Sequence, residues 1–251
     1  IGIYDSGVGG LTVMQAIKEE LPSADILYFG DTAHAPYGNK PSAEISKLTM
    51  EALKLLQKEG ATKIVNACNS VSVSLALSLF DTFSLDQGDV IEMVGPTVAY
   101  LRHAETKILV VATAATMQSG SYQNAFAMLG KEVDAVAIPE LAGAIENGKS
   151  EEEIEAIIKT ALHNVEDPYE VVILGCTHYP LVTHVFKKVF GNEVLIFDPA
   201  QAVAERAKKL FWPQEVGNGT MRAIISGESE MFRRLMQDLF PRAGYTIEVL
   251  S

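Results

Sequence analysis

Two cysteines stand in the 251-residue chain, Cys68 and Cys176, each where an apolar strand pattern gives way to a turn and a helix. Lys63-Ile-Val-Asn-Ala-Cys-Asn-Ser and Glu170-Val-Val-Ile-Leu-Gly-Cys-Thr-His share this arrangement, which sets one thiol on each of two strand ends. In open α/β sheets, ligands bind outside the carboxyl ends of the strands. Two thiols meeting across one such cleft can take a proton from one face of a carbon and return one to the other face. A thiol suits this work because its reference pKa of about 8.5 keeps both protonation states reachable near neutral pH.

Other chemistries of the same residues fit less well. Cys68, Cys176 and His178 offer three soft ligands to zinc, but there is no Cys-x-x-Cys spacing and no nearby fourth ligand. Cys68 as a nucleophile with His178 as its base suits a hydrolase or amidase, a reading that leaves Cys176 without a role. A disulfide between the two is disfavoured in a reducing compartment, and a chain of this size has no need of one.

Asp5-Ser-Gly-Val-Gly-Gly10 follows the first strand pattern and precedes a helical one through Leu11, Met14 and Ile17. Three glycines let backbone N–H groups approach an anion closely, and a helix start adds a positive end. A phosphate or dinucleotide loop fails on spacing. Thr12 stands where the third glycine of G-x-G-x-x-G belongs, and no Gly-Lys-Ser/Thr follows. A carboxylate-binding turn bearing Asp5 and Ser6 fits better. Gly30-Asp-Thr-Ala-His-Ala-Pro-Tyr-Gly38 is a polar loop too long for a simple turn. His34, His103, His163 and His184 have no motif around them, and Tyr28 and Phe29 suit a core.

The elements that must position these groups alternate along the chain. Short β-branched runs start at Ile1, Ile26, Lys63, Val90, Lys107, Glu170, Val194 and Met221, with helical patterns between them. One helix carries Ile45, Leu48, Ala52, Leu55 and Leu56 on one face and ends before Gly60. Another opens on the capping box Ser150 to Glu153 and buries Ile154, Ile157, Ile158 and Leu162. The expected fold is α/β, with two similar lobes, each a mainly parallel sheet flanked by helices, and the active site in the cleft between them. Residues 1–94 plus 207–251 are assigned to the Cys68 lobe and residues 95–206 to the Cys176 lobe.

Twenty basic residues against 32 acidic ones give a net charge of −12, which disfavours nucleic acid and anionic membrane surfaces as partners. An anionic ligand must therefore be captured by local donors. No run of about 18 apolar residues spans a bilayer, and no charged-then-apolar leader pattern precedes the first strand, so the cytoplasm is the expected compartment. The chain is compatible with a homodimer.

Ala67-Cys-Asn-Ser70, Gly175-Cys-Thr-His-Tyr-Pro180 and Asp5-Ser-Gly-Val-Gly-Gly10 together resemble the glutamate racemases, a cofactor-independent family that interconverts L- and D-glutamate. The resemblance continues through Asp31-Thr-Ala, Pro36-Tyr-Gly38, Thr113-Ala-Ala-Thr116 with Ser119-Gly, Pro139 with Glu146, and Ser226-Gly-Glu. It implies that Cys68 and Cys176 are the acid/base thiols and that Asp5 and His178 assist them. It implies too that Ser6, Tyr37, Gly38, Asn69, Ser70, Thr113, Thr116, Glu146 and Thr177 surround a bound glutamate, and that the product serves bacterial peptidoglycan. Departures from the family pattern are Ser70 for threonine, Val71 for a small residue, Ala112 for glycine and Ile138 for cysteine. An aspartate racemase of the same superfamily and a non-catalytic amino-acid-binding protein are the alternatives.

The chemistry this implies is demanding, because an amino acid's α-hydrogen is very weakly acidic. No lysine sits in a plausible Schiff-base turn, so no pyridoxal electron sink is expected, nor any metal. Backbone N–H groups at the Gly-rich turn and after each cysteine, with hydroxyls of Ser6, Ser70, Thr113, Thr116 and Thr177, must carry the stabilisation.

Overall fold

The computed structural model describes residues 1–72, 86–165, 168–211 and 217–250. The strands are β1 Gly2–Asp5, β2 Ile26–Gly30, β3 Ile64–Asn66, β4 Val90–Ile91 and β5 Ile108–Ala112. They continue as β6 Asp134–Ala137, β7 Val171–Gly175, β8 Leu195–Phe197, β9 Met221–Ile225 and β10 Tyr245–Val249. One sheet runs β10-β9-β2-β1-β3-β4 and the other β6-β5-β7-β8. Every strand pair is parallel. A parallel sheet is covered on both faces, and the unbroken apolar runs Ile-Leu-Val-Val-Ala of β5 and Val-Val-Ile-Leu-Gly of β7 are buried throughout.

The first sheet separates two cores. Leu11, Met14 and Ile17 of the helix Gly10–Glu20 pack with Val203, Ala207 and Phe211 of the helix Pro199–Phe211 on one face. Ile45, Leu48, Ala52 and Leu56 of the helix Ser42–Lys58 cover the other. The second sheet is covered by Ile154 and Ile158 of the helix Glu151–Ala161 on one side and by Tyr122 and Phe126 on the other. The capping box is formed as expected, with the Ser150 hydroxyl and Glu153 carboxylate each accepting the other's backbone N–H. Helix Pro199–Phe211 leaves β8 of the second sheet and docks on the first, while its Ala202 joins the second sheet's core.

The strand that starts at Val90 stops at Ile91. The Glu92 carboxylate accepts the backbone N–H groups of Val94 and Gly95, each at 2.6 Å, and starts the helix Val94–Tyr100 instead. Two edge strands add to the expected set. β6 reads Asp-Ala-Val-Ala, with little β-branched signal, and β10 is half-buried at the opposite end of the larger sheet.

Candidate active site

Parallel pairing brings the carboxyl ends of β1, β3, β5 and β7, central in their sheets, to the side where Asp5, Cys68, Thr113 and Cys176 emerge. Asn66, the last residue of β3, shapes the turn by binding both sides of Cys68's backbone. Its Oδ1 accepts the Cys68 N–H at 3.3 Å and its Nδ2 donates to the Cys68 carbonyl at 3.2 Å. A narrow cleft results, lined by Ser6, Pro36, Tyr37, Gly38, Cys68, Asn69, Ser70, Thr113, Ala142, Cys176, Thr177 and His178. All the residues expected at the site lie on its wall except Asp5, Thr116 and Glu146, which stand one layer behind.

Two glycines let the two sets of elements meet. A Cβ on Gly9 would come within 2.5 Å of Thr177 Oγ1 and 2.7 Å of the His178 nitrogen, and one on Gly38 within 2.6 Å of Thr113 Cβ. Both positions therefore require close backbone approach. The Gly-rich turn holds a carboxylate, but it is Asp5's own: Oδ1 accepts the Gly7 N–H at 2.9 Å. Oδ2 accepts the Thr177 hydroxyl at 3.0 Å, which ties β1 to the turn after β7. Tyr28, expected only in the core, also donates its hydroxyl to the Gly7 carbonyl at 2.8 Å.

Neither cysteine is in a disulfide, and both are buried. Cys68 Sγ lies 3.5 Å from the Ser6 hydroxyl oxygen. Burial pushes this thiol up to about 12, and the negative field of Asp5 adds to the effect, with the Ser6 hydrogen bond opposing it. Asp5 is fully buried, and desolvation raises its own carboxyl above the ordinary range against the pull of His178 and its donors.

Around Cys176 the charges are arranged differently. Its Sγ lies 3.9 Å from His178 Nδ1, and His178 Nε2 binds the Glu146 carboxylate. Burial alone would lower the imidazole's pKa, but the bonds to Cys176 and Glu146 outweigh it and hold His178 well above its ordinary value. Glu146, expected near the substrate, is thus placed against the back of His178.

The opposite wall is a run of hydroxyls. Ser70 Oγ lies 3.0 Å from Thr113 Oγ1, which lies 3.1 Å from Thr116 Oγ1 and caps the helix Ala114–Ser119. Tyr37 is held by the Tyr4 hydroxyl, which donates to it at 2.8 Å, while Tyr37 donates to buried Asp31. Asp31 also accepts from Ser226. Tyr4, Asp31 and Tyr122 support the site, yet no local spacing marks them: Tyr4 and Tyr122 act on partners distant in sequence, Asp31 joins nearby Tyr37 to remote Ser226, and only the Asp31-Thr-Ala motif hinted at one of them. Among the departures, Val71 and Ile138 are buried in separate cores and Ala112 stands opposite Gly175 in the β5–β7 pair. Among the described residues no group of three or more His, Cys, Asp and Glu is placed to hold a metal ion.

Residues 9–207 match the Asp/Glu/Hydantoin racemase family. A glutamate racemase of Desulforudis audaxviator is 38% identical over 249 residues, covering 93% of this chain and 90% of the relative. The crystal structure of glutamate racemase isoform RacE1 from Bacillus anthracis is 28% identical and superposes with a TM-score of 0.89, covering 100% of this chain and 96% of that one. That of the Francisella tularensis glutamate racemase in complex with D-glutamate is also 28% identical, with a TM-score of 0.86 and the same coverage.

Proposed function

Because the chain belongs to the Asp/Glu/Hydantoin racemase family and is a racemase, we propose that it interconverts L- and D-glutamate by proton transfer between Cys68 and Cys176. The observation that carries this reading is the pair of buried thiols, not joined in a disulfide, on the wall of one cleft, each at the end of a central strand. In one direction a cysteine thiolate takes the Cα proton, the C–H electron pair passes toward the α-carboxylate, and the second cysteine's thiol delivers its proton to the opposite face. The two cysteines finish with exchanged protonation, ready for the reverse direction.

The charge that develops on the carboxylate is met by donors of Ser6, Ser70, Thr113 and Thr177, all within the cleft, which Asn69 also lines. Preorganised donors in a site that excludes water act more strongly than in solution. At rest Cys68 is the thiol, held so by burial and by Asp5. Cys176 Sγ stands 3.9 Å from Nδ1 of His178, whose imidazole its partners keep protonated. Thr116 steadies Thr113, Tyr37 and Gly38 shape the wall, and Glu146 keeps His178 charged and oriented.

The same reading places the reaction in the cytoplasm, supplying D-glutamate to peptidoglycan. No helix among the described residues is long and apolar enough to cross a membrane. It divides the chain into lobes of residues 1–94 plus 207–251 and of residues 95–206. Sheet membership supports this division, with the helix Pro199–Phe211 spanning the second boundary.

Chiral separation of products after incubation with pure L-glutamate, and then with L-aspartate, tests the substrate assignment. Glutamate is expected to reach a racemic mixture, with kcat/KM at least about tenfold above aspartate, since one methylene displaces the second carboxylate from its donors. Equal constants for the two amino acids would overturn the assignment to glutamate.

A further inference from the structure

Asn69 presents a buried donor without an acceptor. The residue is 2% exposed and lines the cleft beside Cys68, and its Nδ2 has no hydrogen-bond partner. Buried amide groups are paired in native proteins, so such a donor on a cleft wall awaits a ligand acceptor. The other end of the same amide is occupied. Tyr122 donates its hydroxyl to Asn69 Oδ1 at 2.7 Å, and both residues are buried.

That bond joins the two halves of the molecule. Asn69 opens the short helix after β3 of the first sheet, whereas Tyr122 lies in the helix Ser121–Ala127 and packs on the second sheet with Val110, Ala112, Phe126 and Ile173. The ring has little freedom: a Cβ on Gly175 would stand 3.3 Å from Tyr122 Cε2. Burial keeps the phenol well above its ordinary pKa, so the hydroxyl is protonated throughout the working pH range. With Oδ1 turned to the phenol, Nδ2 faces the cleft and can donate to a carboxylate. Turned the other way, the amide would set a carbonyl oxygen against that carboxylate.

We propose that Tyr122 is a positioning residue: its hydroxyl, reaching across from the second sheet, fixes the Asn69 amide so that Nδ2 donates to a substrate carboxylate. The inference rests on the reading of the cleft as a glutamate-binding racemase site.

The test is steady-state kinetics of the full chain in both directions with Tyr122→Phe, Asn69→Ala and the double variant. Because the donor binds substrate and transition state alike, Tyr122→Phe is expected to raise KM for both enantiomers by about tenfold and to change kcat by less than about threefold. In the Asn69→Ala background the same change is expected to have no further effect, the signature of one shared interaction. A merely structural role for the hydroxyl would add its full effect in the double variant. Asn69→Asp leaves an acceptor for the phenol, removes the donor and sets a carboxylate against the substrate's own, and is expected to raise KM at least as far as Tyr122→Phe. An unchanged KM in Tyr122→Phe, additive effects, or normal binding in Asn69→Asp would overturn the inference while glutamate turnover by the unaltered chain stands. Failure of the unaltered chain to racemise glutamate would overturn the racemase reading and this inference with it.

Discussion

At the end of β3 the Cys68 thiol meets the Ser6 hydroxyl and lies in the field of the buried Asp5 carboxylate. At the end of β7 Cys176 meets the His178 imidazole, itself bound to Glu146. The backbone device is the same in both places, a parallel strand releasing a cysteine into a turn. The charges around it are opposite in sign. A proton relay across one carbon needs a base and an acid at the same moment, and two thiols in identical surroundings would share one preference. Different neighbours on a repeated frame resolve this, and the bond from Thr177 to Asp5 ties the two environments together.

The most damaging way to break the pair is to remove one thiol. Cys68→Ser or Cys176→Ser is expected to lower kcat in both directions by about 10³, because a serine hydroxyl is far less acidic and general acid–base catalysis is worth that order. Near-normal turnover in either variant would take that residue out of the chemistry.

Smaller and more informative are changes to the neighbours. His178→Ala and Asp5→Asn are both expected to slow mainly the direction in which Cys176 is the base and Cys68 the acid, each by about 10- to 100-fold. The overall equilibrium between enantiomers is unity, so the ratio of kcat/KM cannot change. The asymmetry must appear in the separate kcat and KM values and in the primary isotope effects with α-deuterated L- and D-glutamate. Equal changes in both directions for both variants would reduce Asp5 and His178 to geometry or binding.

The weakest effect expected is on stability. His178 gains more from Glu146 and Cys176 than it loses by burial, so its folded-state pKa lies above the unfolded value of about 6.5. Its contribution is therefore complete below pH 6.5 and is lost as pH rises through the folded-state value. In that window the native state holds the extra proton, and stability falls by at most about 1.4 kcal/mol per pH unit. Urea unfolding of the unaltered chain and of Glu146→Gln between pH 6 and pH 9 checks this, the variant showing the shallower slope. Parallel slopes would mean that Glu146 does not hold the imidazolium.

The repeated frame was legible in the chain before its environments were. Eight strands announce themselves through apolar β-branched runs, and both cysteines fall at strand ends because such runs stop at Asn66 and Gly175. β6, with two alanines and one valine, gave no such signal. The stretch after Ile91 has an apolar pattern that Glu92 overrides through its cap. The Gly-rich turn looked like a cradle for an anion, but Gly9 serves close packing against Thr177 and His178. Residues that act by contact with a distant partner were the hardest to read. Tyr122 reaches Asn69 from 53 positions away, and Glu146 reaches His178 from 32, so no spacing rule connects either pair. Glu146 was visible as a motif residue, but only the fold puts it behind the imidazole.

The relay itself is tested most directly by the fate of the α-hydrogen. L-glutamate is turned over in D₂O, the reaction is stopped well before equilibrium, and the two enantiomers are separated and analysed by mass spectrometry. Transfer between two thiols predicts deuterium at Cα of nearly every D-glutamate molecule and almost none in the L-glutamate recovered, with the mirror result starting from D-glutamate. Product that retains the original hydrogen, or deuterium that appears equally in recovered substrate and product from the first turnovers, would contradict it.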